Sequence, residues 1–457
     1  MKCGVAVLIC SIPLLALAAD STRPDWGEVL GPSQGALPAP LAEVRWLPDL
    51  HQGLEQAKAQ NRPLFVTLRC LPCKQCSAFD KDVLEGGPQL DPLLRQFVTV
   101  RLVSAKSIDL RLLPIQGYQD LDLSWWGYLL SPRGQIYAIF GGRDEVSDET
   151  RISVPALANT LRRVLAWHYD PRRPGWDLDG PAPDLSAPQK DPTSLPGFRA
   201  WFGHATPQLK AQVTTQNCIH CHQVNEIVRE PAVEAGTFDK DKDLQIWPLP
   251  ENVGITLERD DGLKVIKVKD GSPAANAGLQ AGDELAAARG PEGWRRLFGQ
   301  ADFRGVLHRS PAGPANIDLV WIRGGEPIAA QISVAGDWKR TVLDWRMSVS
   351  QGNVGAGPGF FPIAKGAADR KRLGIPEGSL AVQAWTGPKD QGPASAAGLS
   401  REYVVTAVDG QSPNLAGRAF LVWFRLHHDV GDTVHVTAKD AKGRAKEFAY
   451  TLKGKDW

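Results

Sequence analysis

Leu50, Leu54 and Ala57 recur four and three apart ahead of Asn61-Arg62-Pro63, a pattern that predicts an amphipathic helix over residues 50–62, stopped by proline. The almost wholly apolar run Leu64-Phe65-Val66-Thr67-Leu68 then predicts a buried strand. Residues 83–97 read as a second helical stretch and residues 98–103 as another strand. Tyr128-Leu129-Leu130, the turn signal Ser131-Pro132-Arg133-Gly134 and the run over residues 135–140 predict a hairpin. Leu157, Leu161, Val164 and Leu165 carry helical spacing through residues 154–168. From Asp170 to Pro196 the pattern lapses. Seven prolines stand there among Gly, Asp and Ser, the composition of an extended, semi-rigid tether. Further on, Gly271-Ser272-Pro273-Ala274-Ala275-Asn276-Ala277-Gly278-Leu279 is echoed by Gly392-Pro393-Ala394-Ser395-Ala396-Ala397-Gly398-Leu399. Each copy sits between two predicted strands, so the second half reads as a repeat.

Composition changes this picture little. With 52 basic against 51 acidic residues, the chain lacks the electrostatic footprint of a nucleic-acid binder. A hydrophobic share of 43% is that of ordinary globular domains, and 15 tryptophans point to aromatic packing. The first residues do matter. Met1-Lys2 precedes an apolar run from Val5 to Leu17 with small residues at Ala16 and Ala18, which predicts a secretory signal over residues 1–19. No later run is long and apolar enough to span a bilayer, so no membrane span is expected after cleavage. A periplasmic, secreted or cell-envelope protein follows as the expectation.

Five of the seven cysteines fall into two compact clusters, and the other two, Cys3 and Cys10, lie in the signal-like start. Cys70, Cys73 and Cys76 follow the buried strand at once. A helix N-terminus there would favour a thiolate and so a nucleophile at neutral pH. A metal site built from the three thiols, or an inert disulfide, are the alternatives. Cys218-Ile219-His220-Cys221-His222 is a Cys-x-x-Cys-His unit, the attachment signal of haem c. Cys218 and Cys221 are then expected to form thioethers and His222 to be the proximal iron ligand. His204 is the nearest upstream candidate for the distal side; an open sixth position or a ligand from elsewhere is equally compatible. A chance pentapeptide or a zinc site using Cys218, Cys221 and a histidine is the competing reading.

The helix–strand–thiol–helix–strand–hairpin–helix order resembles the thioredoxin fold. Counting from Pro63 as in that fold places the nucleophile at Cys73, the resolving thiol at Cys76 and a third thiol at Cys70. Cys70-Leu71-Pro72-Cys73-Lys74 resembles the thioredoxin motif by composition, so Cys70 with Cys73 stays open as the pair. The proline that thioredoxins place opposite the thiols is missing; its position falls near Trp126. The repeated Ala-rich motif resembles the bacterial PDZ domain, which binds an extended peptide as an added strand. In the first copy Gly254, Ile255, Thr256 and Leu257 are the candidate carboxylate loop, with the groove helix over residues 301–308 ending at His308. In the second copy the loop is placed at residues 359–362.

Taken whole, the chain resembles a bacterial family that joins a thioredoxin-like domain, a Cys-Ile-His-Cys-His haem signature and tandem PDZ domains, some members carrying selenocysteine. The resemblance rests on Arg69 to Cys76, Cys218 to Val224, Pro248-Leu249-Pro250-Glu251 and Asp344-Trp345-Arg346. It implies a multidomain α/β and β-rich protein. The expected boundaries are a signal at 1–19, a thioredoxin-like domain with an N-terminal extension at 20–169, a Pro-rich linker at 170–196 and a haem segment at 197–247. A first PDZ-like domain at 248–338, a linker at 339–353 and a second PDZ-like domain at 354–457 complete the chain. The expected function is an exported redox protein: thiol–disulfide exchange at the dithiol, electron transfer at covalent haem c, and a peptide or protein client on the PDZ modules. The electron donor or acceptor is left open. A non-enzymatic PDZ scaffold with structural cysteines, or a haem-based sensor, are the alternatives. No Gly-x-Ser-x-Gly element or companion triad is present, which excludes a serine protease of that type.

Overall fold

The computed structural model describes residues 24–69, 77–115, 117–123, 125–142, 152–386 and 392–454. The signal-like start and Cys70, Cys73 and Cys76 lie outside the described residues. Among those described, no helix is long and apolar enough to cross a membrane.

The N-terminal unit is built on a five-stranded sheet. Its strands are β1 (Trp46–Leu47), β2 (Leu64–Leu68), β3 (Val98–Leu102), β4 (Trp125–Leu130) and β5 (Ile136–Gly142), in the order β1-β3-β2-β4-β5. β2 pairs parallel with β3 and antiparallel with β4. β2 is apolar but for Thr67, and buried throughout, because both its faces are covered. Leu64, Val66 and Leu68 enter one core with Trp126, Tyr128 and Leu130, while Phe65 enters the other with Trp125 and Leu129. Helix α1 (Leu50–Gln60) is capped by Asp49, which accepts from the Gln52 N–H, and ends at Asn61 in the left-handed conformation. The single helix expected over residues 83–97 is two: α2 (Ser77–Glu85) and α3 (Gly87–Leu94). Gly86, at φ 76°, separates them, and Gly87, which opens α3, also has positive φ at 63°, a sign that a continuous right-handed helix does not sustain. Helix α4 (Val154–His168) closes the unit, capped by Ser153.

Residues 170–196 do not hang free as the tether composition suggests. Arg111 donates to the carbonyls of Leu185 and Ala187, the Leu110 N–H to Lys190, and Gln135 to Gly180. The prolines keep the segment extended while its carbonyls find partners on the N-terminal unit, so it forms a strap.

Residues 197–247 are helical: α5 (Phe198–Gly203), α6 (Pro207–Thr215) and α7 (Cys221–Glu234). Trp201, Val213, Ile219, Val224, Ile227 and Trp247 join Trp126 and Leu68 in a single apolar cluster, so this segment shares the core beneath one sheet face. Two β-rich units follow. In the first, β6 (Ile255–Leu257) pairs with β7 (Val265–Val268), and β8 (Glu284–Gly290), β9 (Gly293–Arg296), β10 (Ala315–Arg323) and β11 (Glu326–Val334) form a four-stranded sheet. The repeat motif makes helix α8 (Pro273–Asn276), capped by Ser272; α9 (Gln300–Arg309) lies where the groove helix was expected. In the second unit β12 (Phe361–Ala364) starts a five-stranded sheet, and the echoed motif makes the matching helix α10 (Pro393–Ala396).

A buried charge cluster locks these parts together. Asp120 and Asp122 bind Arg346 at 2.8 and 3.2 Å, and Arg304 of α9 binds Asp120 at 3.1 Å. Asn225 of α7 and the backbone and hydroxyl of Ser348 complete the shell of Asp122. The Asp302 carboxylate of α9 also accepts the N–H of Ile139 on β5, at the sheet's open edge.

Candidate thiol site and the docked Cys-x-x-Cys loop

The segment bearing Cys70, Cys73 and Cys76 leaves the C-terminal end of β2 and returns as α2. Both flanks are braced. The Arg69 N–H donates to the Leu102 carbonyl, which prolongs the β2–β3 pairing by one residue. Asp80, 3% exposed on the first turn of α2, binds Arg101 at 2.7 Å and lies 3.6 Å from Arg69. The indole N–H of Trp125 donates to its other oxygen at 3.2 Å. A buried carboxylate persists only when so compensated. Asp80 therefore ties the end of β2 to the start of α2.

The Cys-x-x-Cys-His unit stands on the same edge of the domain. Asn217, in the left-handed region at φ 56°, turns the chain into it. The Ser104 hydroxyl donates to the Asn217 carbonyl and accepts the Ile219 N–H, and the Ala105 N–H donates to the Ile219 carbonyl. Ile219 is fully buried. Cys221 opens α7, is 6% exposed, and its Sγ accepts the indole N–H of Trp126 at 3.4 Å. Trp126 is the register partner of Leu68. Cys221 thus sits beside the end of β2 from which the thiol segment departs. Cys218 is only half-buried.

Residues 45–116 match a family model described as thioredoxin-like. No curated protein matches the chain. The N-terminal unit is therefore a thioredoxin-like domain, which is consistent with a redox role, and the thiol segment falls inside the matched stretch. Trp126 occupies the place on β4 where the sequence count put the missing proline.

Haem c on Cys218, Cys221 and His222 is tested by the surroundings of each. His222 suits an axial ligand: Glu226 Oε1 stands 3.3 Å from Nδ1, and Trp201 in turn donates to Glu226 Oε2, an orientation that leaves Nε2 for a metal. Cys221 does not suit a thioether. Its sulfur accepts the Trp126 indole N–H within the apolar cluster that also holds Val224 and Ile227, and a porphyrin edge there would have to displace the indole. The residues as folded do not fit the group at Cys221. His220 stacks on His222 with centroids 5.7 Å apart and receives the Gln212 amide on Nε2. Burial, and then the charge of His222, holds its pKa below the ordinary histidine value. His204, the distal candidate, is exposed and opens onto a cavity of about 720 Å³ shared with Trp201, Glu230, Phe238 and Lys240, toward the far end of α7 from His222.

Gly254 to Leu257 do form a loop and strand. Gly254 ends a 3-10 turn at φ 90°, and a Cβ there would lie 2.2 Å from Ser272. Ile255, Thr256 and Leu257 make β6. His308 is engaged elsewhere: its ring stacks on Trp247 at 4.8 Å and its Nδ1 accepts the Trp247 N–H. Burial, aided by Lys339, lowers its pKa to about 3. The residues that sequence reasoning missed are Asp120, Asp122, Ser104 and Glu226. The one available signal was Asp120-Leu121-Asp122-Leu123, where acidic residues alternate with core leucines.

Proposed function

We propose that this protein is an exported thiol–disulfide redox protein whose thioredoxin-like domain uses Cys73 as nucleophile, Cys76 as resolving thiol and Cys70 as a third thiol. The carrying observation is the braced strand-to-helix junction, where Arg69 and Asp80 frame the segment that holds the three cysteines. The two β-rich units act as PDZ-like modules that hold a client peptide. Phe361, on the edge strand of the second unit, and Trp385 opposite it are about half exposed, as a peptide-binding edge requires. Alkylation of the reduced full-length protein at graded pH tests the thiol role. Cys73 is expected to react as a thiolate near neutral pH; slow and equal reaction of all three thiols refutes it.

A covalent haem c is the second reading, favoured by the carboxylate of Glu226 behind His222. It requires the Cys221 sulfur to leave Trp126. The absorption spectrum of protein made in cells with haem-attachment machinery tests it independently of the thiol role: a c-type spectrum establishes covalent haem and a colourless preparation removes it.

A further inference from the structure

We propose that the cleft between helix α7 and the second β-rich unit binds an organic cation: an ammonium or guanidinium head on a short apolar stem. The cleft holds about 720 Å³, within the range of roughly 300–1,000 Å³ that small-ligand pockets occupy. Trp201 of α5, Val233 of α7, Phe238 and Val354 line it, as do Leu426 and His427 at the end of helix α11 (Gly417–His427). Such binding is independent of any thiol chemistry.

The charge on this cleft is lopsided. Glu230, Asp239, Asp241 and Asp429 line it, against one lysine, Lys240. Lys240 is already engaged: its Nζ donates to the carbonyls of Arg425 at 2.7 Å and His428 at 3.0 Å, and pairs with Asp429 at 2.6 Å. Glu230 is 5% exposed, and among the described residues its one hydrogen bond is the Asn353 amide on Oε2. The same amide nitrogen donates to the Glu226 carbonyl at 3.1 Å, while Asn353 Oδ1 is buried with no partner among the described residues. The buried Arg229 acts on Asp122 and Glu226 more strongly than on Glu230. A buried carboxylate so thinly compensated is costly, and a bound cation supplies the missing charge. Two helix ends add to the same field. α7, of 14 residues, and α11, of 11, both finish at the cleft, where the C-terminal partial negative charge favours a cation.

The apolar half of the ligand has its own surface. Phe238 and Leu426 pack against a buried cluster that includes Val354, and Val430 stands 59% exposed at the rim. A stem laid over Val430 and Leu426 removes apolar surface from water while the head lies at Glu230. Two sources share this chemistry: a free amine, and a Lys side chain of a client on the second β-rich unit, whose helix α11 ends in the cleft.

Calorimetric titration of the full-length chain tests it, with phenethylamine as the probe. Its neutral and anionic counterparts, 2-phenylethanol and phenylacetate, are the controls. The amine is expected to bind about tenfold more tightly than either, and to weaken as salt rises. Glu230→Gln keeps the shape and removes the charge, so about a tenfold loss of amine affinity is expected. Because Glu230 also holds Asn353, Val430→Arg is the second variant. It places a cation on the exposed rim and is expected to weaken the amine several-fold with an unchanged melting temperature. An Ala-rich pentapeptide with one central lysine separates the sources. Binding tighter than that of phenethylamine, and lost in Glu230→Gln, assigns the site to a client side chain; weaker binding assigns it to a free amine. Equal binding of the amine and the alcohol, or amine affinity unchanged in both variants, overturns the inference.

Discussion

Arg346 offers the sharpest test of how the parts are held. Arg346 is 1% exposed and its guanidinium makes four hydrogen bonds: Asp120 Oδ1 at 2.8 Å, Asp120 Oδ2 at 3.1 Å, Asp122 Oδ2 at 3.2 Å and the Ile246 carbonyl at 2.9 Å. Arg346→Met keeps much of the volume and deletes the charge. Asp120 retains Arg304, but Asp122 is left with neutral donors from Asn225 and Ser348. Removing one partner of a buried ion pair costs about 3–5 kcal/mol, because the remaining charge stays desolvated. An exposed pair such as Arg444 with Asp440 is worth under about 1 kcal/mol, so Arg444→Ala is the control. Urea unfolding followed by tryptophan fluorescence measures both. The Asp122→Asn/Arg346→Met double variant is expected to recover part of the loss, since an unpaired carboxylate is replaced by a neutral amide. A single-variant loss below about 1 kcal/mol would show that the cluster does not carry the interface.

His168 gives a pH signature. Its Nδ1 accepts the Tyr137 hydroxyl and its Nε2 faces the Asn61 carbonyl, and burial lowers its pKa to about 4. The unfolded chain then binds the extra proton between about pH 6.5 and 4, so stability present above pH 6.5 falls by roughly 3 kcal/mol on acidification to pH 4; denaturant midpoints that do not move over this range refute it. Gly254→Ala forces a left-handed Cβ into Ser272 and is expected to lower the melting temperature by several degrees. Asp302→Ala uncovers the Ile139 N–H at the sheet edge, so a loss of about 1–3 kcal/mol and faster amide exchange at that residue are expected; unchanged exchange contradicts the capping role.

Local pattern carried much of the thioredoxin-like domain. The apolar run of β2 and the three-and-four spacing of α4 each have one reading because burial of both sheet faces and of one helix face leaves little choice. The break at Gly86–Gly87 was harder, since helical periodicity continues through it and only backbone sign interrupts it. The docking of the strap is not legible in the sequence, because proline content reports stiffness and says nothing of what the carbonyls meet. The contacts that matter most at the site could not be read from spacing. Trp126 meets Cys221 across 95 positions and Ser348 meets Asp122 across 226, and no local rule links residues so far apart. The Cys-x-x-Cys-His motif itself was plain; what surrounds its second sulfur was not.

The strap over residues 170–196 also decides what a nick would do. Trp201, Ile219 and Trp247 complete a core begun by Leu68 and Trp126, so cleavage within the strap is expected to give two fragments that stay associated. The N-terminal piece made alone would present a bare tryptophan-lined face to water. The minimal unit of inheritance for this domain is therefore longer than its sheet.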